Sequence, residues 1–279
     1  LKAHHLALLS TLAAAPSAAA DVTWMVFPTP ITFIADGPTA GQGAADRQLQ
    51  YLFQRMPQYR NHVLHATFTR IWTEMASRDG VCTHIAFRSP EREKAAIFTA
   101  RPMKLTGYRL LAHPGDIARL KPYLTESEEI DLPRLLQSPE FRGSYIAARL
   151  LPPAVSAALA DKDQVKADMT PMQTPRQILQ SFNAGRLDFF IALPIEADFY
   201  RDLGDLPHIT LPIKGVEREV SIYSACSNAP LGRAVVRAID RIQRVDKNWV
   251  DFMAPFQDYI DPADFAESLT SRPDRSAIP

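Results

Sequence analysis

Cys82 and Cys226 are the only two cysteines in the 279 residues, and two thiolates cannot by themselves complete the four-ligand shell of a structural zinc. They can form one disulfide if their Cα atoms approach to about 5–6 Å, a condition that sequence alone leaves open. His62 and His65 stand three positions apart. On a strand, an odd spacing puts two side chains on opposite faces, so this pair is not expected to share a metal. Glu126, Glu128, Glu129 and Asp131 form an acidic run that reads as a solvated loop. Gly41-Gln42-Gly43 is too short for a dinucleotide fingerprint, and the chain has no G-x-S-x-G elbow, no G-x-x-x-x-G-K-[ST] loop and no H-E-x-x-H pair. The commonest hydrolase, nucleotide and zinc signatures are therefore absent, and no metal or cofactor is expected.

The composition permits a sizeable core: 46% of residues are hydrophobic and 22% charged, which fits one large or two medium domains. Lys plus Arg and Asp plus Glu both number 31, so no global field draws the protein to nucleic acid or anionic lipid, and no nucleic-acid partner is expected. The first residues, LKAHHLALLSTLAAAPSAAADVTW, show a basic start, a short apolar run from Leu6 to Ala15 and small residues up to Ala20. That order predicts a cleavable signal peptide over residues 1–20, and with it export to the periplasm. The apolar run falls short of the roughly 20 residues a membrane span requires.

The apolar pattern alternates in period along the chain. Strands are predicted at Val22–Phe27, His62–Thr67, Val81–Phe87, Tyr108–Ala112, Ser144–Arg149, Val165–Met169, Leu187–Leu193, His208–Ile213 and Val220–Ser227. Helices are predicted where the period is 3.6: Asp46–Met56, with Leu49, Leu52, Phe53 and Met56 on one face; Phe68–Met75, stopped by Gly80; Ala154–Ala160; Pro175 up to Gly185, opened by Thr174; and Pro230–Val245. Strands alternating with helices imply an α/β fold with mostly parallel sheets.

IAFRSPEREKAAIFTARPM, from Ile85 to Met103, follows the strand at Val81–Phe87 with a polar turn holding Ser89 and Arg92, and then Phe98-Thr99. It resembles the bacterial family 3 extracellular solute-binding proteins, the amino-acid-binding type of periplasmic receptor. GQGAADRQLQYLF is similar to that family's glycine turn, acid and helix, NAGRLDFFIAL to its G-R-x-D strand, and SIYSACSNAPLGRAVVRAIDRI to its last strand and helix. Together these stretches cover nearly all of the chain after residue 20, in the family's order.

The resemblance implies a two-lobed periplasmic-binding-protein-like fold (type II), each lobe a mostly parallel sheet flanked by helices. Lobe one is expected from residues 21–105 and 219–279 and lobe two from 106–218, with crossings near Lys104–Thr106 and Val216–Val220. It further implies a small-molecule ligand enclosed by hinge closure, and a monomer that serves an ABC permease or a membrane sensor. On this layout Cys82 and Cys226 fall on strands of the same lobe, where a disulfide joining the two chain ends is plausible. Arg92 takes the position of the family's carboxylate-gripping arginine. Arg149 lies close to the loop that lobe two offers the ligand, so the two cations suggest an anionic guest. Trp24 and Tyr108 are candidate aromatic walls, and Ser89 belongs to the motif. Two departures matter: Phe87 stands in place of a small hydroxyl residue, and Leu193 in place of the acid that holds an amino acid's ammonium. A neutral leucine cannot balance a buried ammonium, which argues against a standard α-amino acid. An enzyme on the same scaffold, similar to cyclohexadienyl dehydratase, is the alternative, with Glu196 or His84 as its acid or base.

Overall fold

The computed structural model describes residues 19–29, 31–196, 207–260 and 262–272, without the side chains of Ala263, Asp264 and Glu267. The predicted signal segment thus lies almost wholly outside the described residues. No helix among those described is long and apolar enough to cross a membrane.

In chain order, the first sheet takes β1 (Ala20–Val26), β2 (Tyr59–His65), β3 (Val81–Phe87), β4 (Ala96–Phe98) and β5 (Met103–Thr106). The second takes β6 (Arg109–Ala112), β7 (Arg142–Ile146), β8 (Asp168–Met172), β9 (Phe189–Ala192) and β10 (Ile209–Leu211), before β11 (Glu219–Ser227) returns to the first. The strand order is β2-β1-β3-β11-β4, with β5 also on β11, and β10-β6-β9-β7-β8. Both sheets are mixed rather than mostly parallel. β1 runs parallel to β2 and β3, and β7 parallel to β8 and β9. The antiparallel pairs all involve β11 or β6, the strands that carry the chain into or out of the exchange between sheets.

The helices follow the apolar period. Among the described residues they include, besides a single turn at Ile117–Leu120, α1 (Ala44–Arg55), α2 (Phe68–Ser77), α3 (Pro90–Glu93), α4 (Leu132–Leu136), α5 (Pro153–Ala160), α6 (Pro175–Asn183), α7 (Pro230–Gln243), α8 (Asp246–Met253) and α9 (Pro262–Thr270). Thr174 and Gln177 close a capping box around α6, as Thr-Pro at a helix start favours. Asp46, the acid of the glycine-turn stretch, accepts from Gly43 N at 3.0 Å and Ile34 N at 3.1 Å, so it holds the start of α1.

Several boundaries differ from expectation: β2 runs over Tyr59–His65, earlier than His62–Thr67, and β9 and β10 are shorter than the apolar runs that predicted them. α2 ends at Ser77 with Arg78 already extended. Gly80, at φ 69°, instead turns the chain into β3, while Asp79 accepts from Leu231 N and Gly232 N, both at 3.0 Å, and caps α7 from outside. Residues 165–167 precede β8 because Lys166 N and Ala167 N both bond Leu136 O. β7 stops at Ile146, which leaves Arg149 in the following loop.

Two cores lie within the sheets' own layers. Val22, Trp24, Leu49, Leu52, Val235, Ile239 and Trp249 pack β1 against α1, α7 and α8. Leu110, Leu135, Phe141, Val155, Phe189 and Ile191 pack the second sheet against α4 and α5. A third cluster draws on both sheets, joining Met25, Phe27 and Phe98 to Ile146, Phe182 and Phe190, so the units meet over apolar surface. The chain leaves the first sheet through Gly107, whose N–H donates to Arg218 O at 2.7 Å on the returning segment. A Cβ on Gly107 would stand 2.3 Å from Glu217 O, so the two crossings can touch only where a side chain is missing.

Cys82 and Cys226 face each other in the β3–β11 register and form a disulfide, fully buried, with Cα atoms 3.9 Å apart. It ties the strand before the second sheet's segment to the strand after it, 144 residues on. Closing so long a loop restrains the unfolded chain strongly. The double variant Cys82→Ala/Cys226→Ala is expected to lose about 2–5 kcal/mol of unfolding free energy, read as a lower urea midpoint. An unchanged midpoint would show that the bridge contributes nothing.

Candidate functional site

Between the two sheets, at the carboxyl ends of parallel strands β1, β3, β7 and β9, lies a cavity of about 40 Å³, measured as space open to the centre of a water-sized sphere. Strand ends leave loop backbone and side chains free to converge, as open α/β sheets commonly do at their ligand sites. From the first sheet's side, β1 contributes Phe27 just past its end, α2 contributes Phe68, Ile71 and Trp72, β3 contributes Thr83 to Phe87, and α3 contributes Arg92. The second sheet's side contributes Arg149 after β7, and Leu193, Ile195 and Glu196 after β9. Phe27 and Phe68 stack with ring centroids 4.0 Å apart. Ile85 holds a left-handed φ of 63° where the β3–β11 register shifts, a bulge at the cavity wall of the sort that re-aims side chains at sites.

Arg92 sits half-buried with its guanidinium 4.2 Å from the centre of the Trp72 ring, and one terminal nitrogen donates to Phe87 O at 2.8 Å. Neither neighbouring carboxylate reaches it: Glu93 pairs with Arg88 and Glu91 with Lys94. Burial, with a smaller push from Arg149 and against the pull of Tyr108, brings its pKa down to about 10, so it remains a cation at neutral pH. Trp72 Nε1 and Arg149 Nε are buried without a protein partner.

Arg149, expected as a second cation toward the ligand, lines the cavity with its charge already paired. Glu196 takes it in a two-pronged ion pair, with contacts of 2.7 and 2.6 Å and side chains only 5% and 4% exposed. Burial opposes the charge on Arg149, but the Glu196 carboxylate outweighs it and raises the pKa. Glu196 also accepts from Leu193 N at 3.3 Å.

His84 is fully committed too. Its Nδ1 lies 2.8 Å from Ser224 Oγ and its Nε2 2.8 Å from Gln48 Oε1. The amide oxygen calls for a donor, so Nε2 carries the proton and Nδ1 accepts from the serine. Burial lowers its pKa from 6.5 to about 3, which keeps the ring neutral.

That depression has a consequence for stability. Below pH 6.5 the unfolded chain binds a proton that folded His84 refuses, so stability is full above that pH and falls as pH drops toward about 3. A single proton gives a slope of up to about 1.4 kcal/mol per pH unit. Urea denaturation from pH 8 to pH 4 is expected to show a steeper fall for the natural protein than for His84→Gln. Identical slopes would contradict the neutral buried ring.

The remaining predicted residues fall elsewhere. Trp24 is fully buried in the first core, donating to Asn61 Oδ1 at 2.9 Å, and is not a cavity wall. Ser89 caps α3 by accepting from Arg92 N. Tyr108 donates to Leu150 O at 3.1 Å, and burial raises its pKa. Ser89 and Tyr108 both line a separate, larger groove of about 680 Å³ beside the crossing strands. The structure therefore brings Arg92 and Arg149 to one cavity and sets Ser89 and Tyr108 along another, with the Tyr108 hydroxyl beside Arg149 at the wall between them. Phe87 and Leu193, the two departures, do face the cavity. Its aromatic walls, Phe27, Phe68 and Trp72, carried only the signal of an apolar helix face and a strand end, the same signal that core residues give. No cluster able to hold a metal ion occurs among the described residues.

Two mixed α/β units, joined by paired crossings and facing each other across a cavity at their strand ends, define the type II periplasmic-binding-protein fold. Solved structures bear this out over most of the chain. A mutant of ArgBP from T. maritima matches with TM-score 0.66 at 10% identity, over 86% of this chain and 94% of that one. An amino acid ABC transporter substrate-binding protein from Streptococcus pneumoniae, bound to L-arginine, matches with TM-score 0.62 at 12% identity, over 91% and 95%. The ancestral amino acid-binding protein AncCDT-1, a precursor of cyclohexadienyl dehydratase, matches with TM-score 0.63 at 11% identity, over 86% and 96%. No family model and no curated protein matches the sequence.

Proposed function

We propose that this chain is an exported solute-binding protein that captures a small anionic ligand between its two lobes and presents it to an ABC importer or a membrane sensor. In this reading residues 1–20 are a signal peptide, residues 21–105 and 219–279 form one lobe and 106–218 the other, and the lobes close on the ligand. The observation that carries it is Arg92: a cavity-lining cation, stacked on Trp72, that pairs with no carboxylate among the described residues. A buried disulfide suits an oxidising compartment. Closure is favoured by ligand only insofar as the ligand binds the closed form better.

L-arginine, which the S. pneumoniae protein binds, would bring two cations to a cavity whose one carboxylate among the described residues, Glu196, is taken by Arg149. Arginine is therefore not the expected guest. The elimination reading loses support for a related reason: Glu196 and His84 are both held by other side chains.

A thermal-shift screen of organic acids, amino acids, amines and sugars tests the proposal, since a ligand of the native state alone raises the melting temperature. Stabilisation by organic acids is expected. Stabilisation by amines or sugars alone would overturn the anionic reading, and no response to any small solute would overturn the binding function.

A further inference from the structure

We infer that the ligand is an apolar monocarboxylate lacking an ammonium group, and that this cavity discriminates against the corresponding α-amino acid. This rests on the reading of the cavity as the ligand site and narrows it to a chemical class. Arg92 brings donors to spare, since one terminal nitrogen of its guanidinium is bonded to Phe87 O, and Trp72 Nε1 and Arg149 Nε beside it are buried without a protein partner; the Thr29 and Thr32 hydroxyls that also line the cavity donate to backbone carbonyls and offer only neutral lone pairs. Buried donors without acceptors are penalised until something supplies lone pairs, and a carboxylate supplies them with the complementary charge. Among the described residues the one carboxylate lining the cavity, Glu196, has both oxygens on Arg149 and one of them also on Leu193 N. An ammonium would therefore arrive beside the Arg92 guanidinium and the already balanced Arg149–Glu196 pair, with no free carboxylate among the described residues to receive it, and a desolvated unpaired cation is strongly disfavoured. The rest of the guest would meet Phe27, Phe68 and Leu193, which suits hydrocarbon. The space open there, about 40 Å³, admits about three waters, so a longer tail requires the side chains or the lobes to part.

Matched pairs that differ by a single amino group test this by calorimetry on the protein without its leader: propionate with L-alanine, 4-methylpentanoate with L-leucine, and 3-phenylpropionate with L-phenylalanine. In any pair that binds, the deaminated acid is expected to bind tighter by about 100-fold or more. Leu193→Asp, which places an acid at the cavity, is expected to narrow that ratio at least tenfold. Should this variant not fold, as circular dichroism would reveal, the ratio in the natural protein decides alone. Equal affinity for amino acid and deaminated partner would overturn the inference while leaving the solute-binding reading standing. Binding of neutral or cationic solutes with no response to any acid would overturn both the inference and the anionic reading.

Discussion

Arg92→Ala is expected to weaken binding of an anionic ligand by about 100-fold or more, because truncating one partner of a buried, hydrogen-bonded charge pair costs about 2–5 kcal/mol. The fold should survive. In the folded protein the side chain makes one hydrogen bond, to Phe87 O, and one cation–π contact, with Trp72, each worth about 1 kcal/mol. Arg92→Lys should fall between the two, since an ammonium keeps the charge but cannot offer two parallel donors. Calorimetry with the best acid from the screen, beside circular dichroism and thermal melting of each variant, separates loss of binding from loss of structure. Undiminished affinity in Arg92→Ala would remove the observation on which the functional proposal stands.

The second large effect concerns stability. Glu196→Ala strips the counter-charge from an Arg149 that is only 5% exposed, and breaking a buried pair from one side is expected to lower the unfolding free energy by about 3–5 kcal/mol. The pair itself is not thereby shown to be stabilising, because its desolvation can offset most of its attraction. The double variant Arg149→Met/Glu196→Leu distinguishes these. With neither charge left, it should recover most of the loss, short of about 1 kcal/mol for the orphaned Leu193 N–H. Chemical denaturation at pH 7 of the singles and the double gives the coupling directly. A loss under about 1 kcal/mol in Glu196→Ala would mean that Arg149 swings out to water, and the cavity would then contain one cation fewer.

What followed from sequence alone was periodic and local. β3 runs over the predicted Val81–Phe87 without a shift, and α6 opens at Thr174-Pro175 with the capping box its residue types favour, because caps and apolar periods are settled by neighbours a few positions away. The motif stretches likewise pointed to the two-unit fold, and to Arg92 beside the cavity. Partnership across the fold was another matter. Arg149 was legible as a cation near the cleft, but whether it stays available depends on Glu196, 47 residues on, and pairing at that distance leaves no trace in spacing. Trp24 and Trp72 are both aromatic residues on apolar faces, yet one is sealed in a core and the other looks into the cavity. That choice is made only when two sheets, far apart in sequence, come together, since burial and hydrogen-bond satisfaction are properties of the assembled surfaces and not of any single element.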